Sequence, residues 1–140
     1  MLNYWYVAIG SAVGGLARVI VGAWVQSRMD DWAPRTSAPP FLPFPIGTLI
    51  VNVSGSFLLG VILVVVARQG EHANATRLLL AVGLCGGYTT FSTFSADTVG
   101  LIESGGAALA ALNVVASLSL ALTGTFAGVV LTRAVMGRFA

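Results

Sequence analysis

Four long apolar segments, separated by short polar connections, dominate the hydrophobic pattern of this chain. A helix that crosses a bilayer needs about 20 apolar residues, and each segment is long enough. The pattern therefore predicts an all-α membrane protein that forms a single four-helix transmembrane domain over residues 1–140. We expect the transmembrane helices at about residues 4–25, 46–67, 76–102 and 107–136.

The third segment is unusual because glycines and hydroxyl-bearing residues interrupt it between Gly83 and Thr98. Glycine destabilises a helix interior by about 1 kcal/mol, so three glycines followed by two threonines predict a break near residues 86–89. A break in mid-membrane exposes carbonyl groups, which bind cations, and amide groups, which bind anions. Two structural explanations stay open: the glycines form only a packing notch, and the hydroxyls bond back to the carbonyl four residues earlier.

Polar residues also occur within the second and fourth apolar segments. Thr48, Asn52 and Ser56 are four residues apart and share one helix face. Burying an amide is costly without a hydrogen bond, so Asn52 either donates to an anion or joins two helices. Asn113 and Ser117 repeat this spacing in the fourth segment.

Glycines and prolines add predictions about packing and connections. Gly10 and Gly14 in the first segment, and Gly124 and Gly128 in the fourth, have the spacing of small residues that lets helices approach closely. The prolines within residues 38–45 cannot continue a helix, so we expect a loop between the first two segments.

Two phenylalanines and one arginine complete the candidate chemistry. Phe91 and Phe94 are three residues apart and share a helix face. The positive edge of a phenyl ring can contact an anion, although most such side chains face lipid or core. Arg18 lies inside the first segment, where a charge either lines water, as in an anion vestibule, or snorkels to the interface.

Charge is sparse, with 9% charged residues against about 25% in a soluble domain. All seven basic residues are arginines, and they form no patch of the kind that binds nucleic acid. The sequence has no Ser/His/Asp set, no metal-ligand spacing and no phosphate-binding loop, so we do not expect an enzyme.

The arginines show a weak bias toward one predicted side of the membrane, four against two, which weakly favours that side as the cytoplasmic one. Arg68, Arg77, Arg133 and Arg138 fall on the side of the N-terminus, and Arg28 and Arg35 fall on the other. Such a small bias gives only a weak preference for one orientation. The chain could therefore insert in both orientations.

Three stretches resemble motifs of the Fluc/CrcB fluoride channels: residues 83–95 (GLCGGYTTFSTFS), residues 47–57 (GTLIVNVSGSF) and residues 14–18 (GGLAR). The resemblance extends over nearly the whole chain. It implies a multi-pass protein of the inner or plasma membrane that exports fluoride passively and lowers fluoride toxicity. It also implies an antiparallel, dual-topology homodimer with two fluoride pores in the lipid bilayer.

The same resemblance implies roles for individual residues. Those of the fluoride pore are Asn52, Phe91, Phe94, Thr48, Ser92, Thr93, Asn113 and Ser117. Arg18 corresponds to a basic residue near the vestibule. A structural Na⁺ at the dimer interface would be held by the backbone carbonyls of Gly86 and Thr89 from each subunit. Asn113 departs from the tyrosine that the family often carries there, and Ser117 keeps a hydroxyl one turn later.

Two alternative functions stay open. A small dual-topology, proton-coupled exporter of cations or drugs would need an intramembrane carboxylate in its first helix, and residues 4–25 contain none. A non-conducting membrane assembly subunit would use the polar side chains only to join helices.

Overall fold

Helices make up all the regular structure in the computed structural model, which describes residues 3–32, 44–70 and 73–137. In chain order they are α1 (Asn3–Trp32), α2 (Ile46–Ala67), α3 (73–88), α4 (Phe91–Glu103) and α5 (Ala107–Gly137). Most of the predicted proline-rich connection, at residues 38–43, lies outside the described residues.

Four stretches are long and apolar enough to cross a membrane: α1, α2, α3 with α4, and α5. The prediction of an all-α protein with four membrane-spanning helices is confirmed. Helix α1 continues to Trp32, well beyond the end of the apolar pattern at Val25. Its polar last turns remain helical, and there Gln26 Nε2 donates to Asp30 Oδ1 at 3.0 Å. The apolar pattern marks the membrane-embedded part and not the helix end.

The third span changes its backbone conformation four times. Helix α3 starts as a regular α-helix at Ala73–Thr76, becomes a π-helix over Arg77–Cys85, and ends in an α-helical turn at Gly86–Tyr88. Thr89 and Thr90 are extended, with ψ angles of 156° and 115°, and separate α3 from α4. Long π-helical stretches are rare, and nothing in the sequence pattern indicated this one.

The helix break does not fall on the glycines, although the sequence pattern predicted it near residues 86–89. Gly86 has helical angles, with φ −65° and ψ −34°. Gly87 is helical as well, and a Cβ atom there would lie 2.6 Å from the Ser11 carbonyl oxygen. Gly87 therefore provides a packing notch, which was the alternative explanation, and the extended residues are the two threonines.

Helices α1 and α3 pack side by side in the same direction through their glycines. Gly10 lies against Gly83, and Gly14 lies against Tyr88, so residue numbers rise together along the contact. A Cβ atom on Gly14 would lie 2.8 Å from the Tyr88 backbone nitrogen. The close approach predicted from Gly10 and Gly14 is confirmed.

Helices α2 and α5 form a second parallel pair. Gly124 lies against Val53, and Gly128 lies against Val61, whose backbone nitrogen would be 3.1 Å from an added Cβ atom. The close packing predicted from Gly124 and Gly128 is therefore confirmed. Helix α2 also packs against α1, α3 and α4, and it is the most buried of the membrane-spanning helices.

Candidate functional site

Asn52 on α2 holds the extended joint between α3 and α4. Its Nδ2 donates to the Thr90 carbonyl at 3.0 Å, and its Oδ1 accepts from the Thr90 backbone N–H at 2.7 Å. These two bonds pair the side-chain amide with one residue of extended backbone, much as a neighbouring strand would. Asn52 therefore makes an interhelical bond, and the second of its two N–H donors stays available.

Thr90 begins α4 as its N-cap residue. Its Oγ1 accepts from the Thr93 backbone N–H at 3.1 Å, which satisfies one of the unpaired donors at the helix start. The same hydroxyl donates to Thr93 Oγ1 at 3.0 Å and lies 3.1 Å from Ser92 Oγ. Thr90 is buried, so this cap is shielded from solvent.

These contacts divert two backbone donors from their regular helical partners. In a continuous α-helix the N–H of Thr90 would bond the Gly86 carbonyl, and the N–H of Thr93 would bond the Thr89 carbonyl. Here the first goes to Asn52 Oδ1 and the second to Thr90 Oγ1. The carbonyls of Gly86 and Thr89 thus lie outside the α-helical hydrogen-bond pattern.

Several hydroxyls of the third span are used locally. Thr89 Oγ1 donates to the Cys85 carbonyl at 2.9 Å, Ser95 Oγ to the Phe91 carbonyl at 2.8 Å, and Thr98 Oγ1 to the Phe94 carbonyl at 2.7 Å. Each bond reaches back four residues, as is common for Ser and Thr in helices. For these three hydroxyls the structural explanation therefore applies.

The phenylalanine pair lines a cavity of about 200 Å³, which we call the phenylalanine cavity. The ring centroids lie 5.3 Å apart with an interplanar angle of 49°. Phe94 is 9% exposed, whereas Phe91 is 75% exposed in the single chain. The polar residues of the lining are Asn52, Ser56, Thr89, Thr90 and Ser117.

A larger cavity of about 470 Å³ lies toward the α1–α2 connection and contains Arg18 in its wall. We call it the Arg18 cavity. Thr48 and Thr93 also line it, as does Asp97, whose Oδ2 accepts a 2.7 Å hydrogen bond from Thr48 Oγ1. The arginine of this cavity thus shares it with two carboxylates, because Asp30 lines the wall as well. Thr48 and Thr93 lie here, apart from the phenylalanine rings.

Thr90 lines both cavities, so the Arg18 cavity and the phenylalanine cavity adjoin at the joint between α3 and α4. The polar stripe of α2 passes the same point, with Thr48 on one side and Asn52 and Ser56 on the other. Sequence reasoning did not single out Thr90 as a site residue. A threonine directly before a helical segment is a usual N-cap signal and could have identified it.

Besides Thr48 and Thr93, two more predicted pore residues are not brought to the phenylalanine cavity in the single chain. Asn113 is 2% exposed, and its Nδ2 donates to Thr98 Oγ1 at 2.9 Å on α4. Ser92 is exposed near the start of α4. Ser117 does line the cavity, and its hydroxyl donates to Asn113 Oδ1 at 3.4 Å. Asn113 therefore joins α5 to α4 beside the cavity.

Comparison with known proteins identifies relatives that share this pattern. A family model described as CrcB-like protein, Camphor Resistance (CrcB), matches residues 5–129. Together with the four apolar spans, this match places the chain in the cell membrane as a multi-pass protein.

Curated relatives match nearly end to end. A fluoride-specific ion channel FluC from Agrobacterium fabrum is 41% identical over 133 residues, which cover 95% of this chain and 98% of the relative. A protein of the same name from Rhizobium etli is 39% identical over 136 residues, or 97% of this chain and 100% of the relative. Another from Coxiella burnetii is 38% identical over 133 residues, or 94% and 98%.

Proposed function

The chain belongs to the CrcB-like protein family, and from this membership we propose that it is a fluoride-specific channel for passive export from the cytoplasm. The observation that supports this most directly is the meeting of two cavities at Thr90. One carries an arginine and two aspartates, and the other carries an amide, hydroxyls and two phenyl rings. We expect no catalytic step, and of the alternatives neither the exporter nor the assembly subunit is favoured.

The chemistry of the phenylalanine cavity suits a small, strongly hydrated anion. A selective pore must replace the hydration shell of the ion as water leaves, yet bind weakly enough to release the ion. Asn52 offers its second N–H donor, and the rings of Phe91 and Phe94 offer positive edges. The described lining of this cavity contains no charged side chain, which supports conduction over tight binding.

The Arg18 cavity would serve as the vestibule of this pore. A guanidinium in a narrow opening attracts anions and raises their local concentration. Asp30 and Asp97 in the same wall oppose that attraction, because their carboxylates repel anions, so the guanidinium acts only close to its own end of the cavity. An ion that passed Thr90 would then leave the charged cavity for the neutral one.

We further infer that the joint at Thr89 and Thr90 lies at mid-membrane and that two copies assemble in antiparallel orientation. The exposed ring of Phe91 supports the second inference, because a pore ring needs a partner surface that a single chain lacks. The number of arginines differs little between the two predicted sides of the membrane, four against two, and this weak bias supports insertion in both orientations. Each phenylalanine cavity would then be completed by the other copy.

A structural Na⁺ fits the carbonyls of Gly86 and Thr89. Unwound backbone in broken membrane helices commonly coordinates Na⁺ through carbonyl oxygens. Both carbonyls have lost their α-helical donors to the side chains of Asn52 and Thr90, which supports their availability. Bound there, the ion would supply positive charge that holds the two copies together.

Fluoride efflux from liposomes, followed with a fluoride electrode, tests the proposed function. We expect passive efflux without a proton gradient, strongly reduced in Asn52→Asp and Phe91→Ile. Asn52→Asp replaces the donor to Thr90 by a carboxylate that repels anions, and Phe91→Ile removes an aromatic edge. Asn74→Asp makes the same chemical change at an exposed position and serves as the matched control.

Two results would contradict the proposal. Robust transport of organic cations driven by a pH gradient would identify an exporter. Correctly folded protein without fluoride efflux would identify an assembly subunit.

A further inference from the structure

A third cavity lies between α2 and α5, at the opposite end of α2 from the Arg18 cavity. It measures about 530 Å³ and is lined by Leu63, Val64, Ala67, Val129, Arg68 and Arg133. We call it the two-arginine groove. Its walls are apolar side chains, and among the lining residues that the structure describes the only charged groups are the two guanidiniums.

The two arginines lie at the depth where a membrane has its headgroups. Arg68 directly follows Ala67, the last residue of α2, and Arg133 lies one turn before the end of α5 at Gly137. Since α2 and α5 run parallel, both guanidiniums lie on the same side of the bilayer. Leu63 lies more than one turn deeper along α2, within the apolar span. The groove therefore leads from the hydrocarbon to the headgroup region.

We propose that the two-arginine groove binds an anionic phospholipid. Two guanidiniums match the oxygens of a phosphate group, because each planar fork can donate two parallel hydrogen bonds. Basic pockets between membrane helices bind lipid headgroups by this chemistry. An acyl chain would cover Leu63 and Val129, the apolar side chains of the wall.

One of the two guanidiniums is already oriented by the protein. Arg68 Nη1 donates to the carbonyl of Met136 near the end of α5, at 3.3 Å. This bond joins the ends of α2 and α5 and uses one of the five N–H donors of the guanidinium. Arg68 thus keeps donors for a phosphate, while its side chain is held beside the exposed Arg133.

A lipid fits the groove better than a soluble anion does. Inorganic phosphate would occupy the guanidinium end and leave the apolar walls without a partner. In a bilayer the groove is always in contact with lipid. The two guanidiniums therefore only need to favour an anionic headgroup over a neutral one. The inference does not depend on fluoride conduction, because these residues line neither of the cavities at Thr90.

Lipid retention by the full chain in detergent micelles tests this assignment. Native mass spectrometry would compare phosphatidylglycerol with phosphatidylcholine on the unmodified chain, on Arg68→Gln/Arg133→Gln and on Arg77→Gln. Arg77 is an exposed arginine on the same side of the membrane, outside the groove, and is the matched control. We expect a clear preference for phosphatidylglycerol that falls roughly thirtyfold in the double variant, from the loss of two guanidinium–phosphate attractions. The control should keep the preference.

Further variants separate lost binding from lost folding. Arg133→Gln alone keeps the bond from Arg68 to Met136 and should still weaken phosphatidylglycerol binding severalfold. Arg68→Lys/Arg133→Lys keeps both charges and should retain a preference for the anionic lipid. Equal retention of both lipids by the unmodified chain, or an equal loss in Arg77→Gln, would overturn the proposal. Displacement of the lipid by millimolar inorganic phosphate would assign the groove to soluble anions and overturn it as well.

Discussion

The two halves of the third span are held in place by different forces. Helix α3 lies against α1 through backbone contacts at Gly83 and Gly87, where no side chain intervenes. Helix α4 is positioned by side-chain hydrogen bonds, from Asn52 to Thr90 and from Asn113 to Thr98. The first half is fixed by shape and the second by polar pairing, so the two should respond to different substitutions.

The two halves of the third span also differ in role, because α3 mainly packs against α1 and α4 carries candidate pore residues. Helix α3 and its glycine contacts form a platform that carries few candidate functional side chains. Helix α4 carries Phe91 and Phe94, and in the single chain it packs loosely against α2 and α5. The loosely packed half is therefore the one whose position most depends on individual hydrogen bonds and on a second copy.

The largest effect is expected from Gly14→Ala, which tests the shape-based half. A methyl group there collides with the backbone of α3, 2.8 Å from the Tyr88 nitrogen, and backbone cannot move aside cheaply. We expect a loss of about 3 kcal/mol in unfolding free energy, the upper part of the range for overpacking. Thermal unfolding in detergent micelles measures it. Gly15→Ala, with open space around its Cβ position, should lose nothing; equal losses would show that α1 and α3 do not touch there.

Thr90→Val should come next, because it removes the hydroxyl that caps α4. The Thr93 backbone N–H then loses its acceptor, the hydroxyl of the buried Thr90. We expect a loss of about 2 kcal/mol, with reduced fluoride efflux as the joint moves. Thr90→Ser keeps the hydroxyl and should restore both quantities. Failure of serine to rescue would mean that the methyl group, and not the cap, is what matters.

A smaller effect is expected for the bond between α4 and α5. Asn113→Ala, Thr98→Ala and the double variant form a cycle that isolates the pairwise term of their hydrogen bond. We expect a coupling energy of about 1 kcal/mol in unfolding free energy. A coupling near zero, together with lost efflux in Asn113→Ala alone, would instead support Asn113 as a pore donor.

Ser92→Ala should have the smallest effect. Ser92 is exposed, and its hydroxyl lies within hydrogen-bond distance of Thr90 Oγ1, which also bonds Thr93 Oγ1. We expect a change below about 0.5 kcal/mol, as for most surface substitutions, and unchanged efflux. A large loss of efflux would place Ser92 in the pore, in a surface completed by a second copy.

Sequence reasoning predicted the features that depend on local pattern. The four spans follow from apolar length, and the contacts of Gly10, Gly14, Gly124 and Gly128 follow from the spacing of small residues. It also selected Asn52, Ser117, Phe91 and Phe94, which the structure brings to one cavity. In each of these cases the residue type or its spacing is enough to predict the contact or the location of the side chain.

The remaining features depend on pairing between distant residues, which a single sequence does not encode locally. Thr90 can be extended because Asn52, 38 positions earlier, supplies replacement hydrogen bonds for its backbone N–H and carbonyl. The π-helix of Arg77–Cys85 could not be foreseen from composition. Asn113 could not be assigned to an interhelical bond until Thr98 was known to lie opposite.

The extended joint also affects how the protein enters the membrane. It divides the third span into two short helices, the second of only 13 residues, and neither reaches the length of about 20 that inserts independently. The unpaired peptide groups between them cannot enter hydrocarbon alone. Asn52 must therefore already be in the bilayer to form hydrogen bonds with them. Insertion of this region is then ordered, with α2 entering the membrane before the third span.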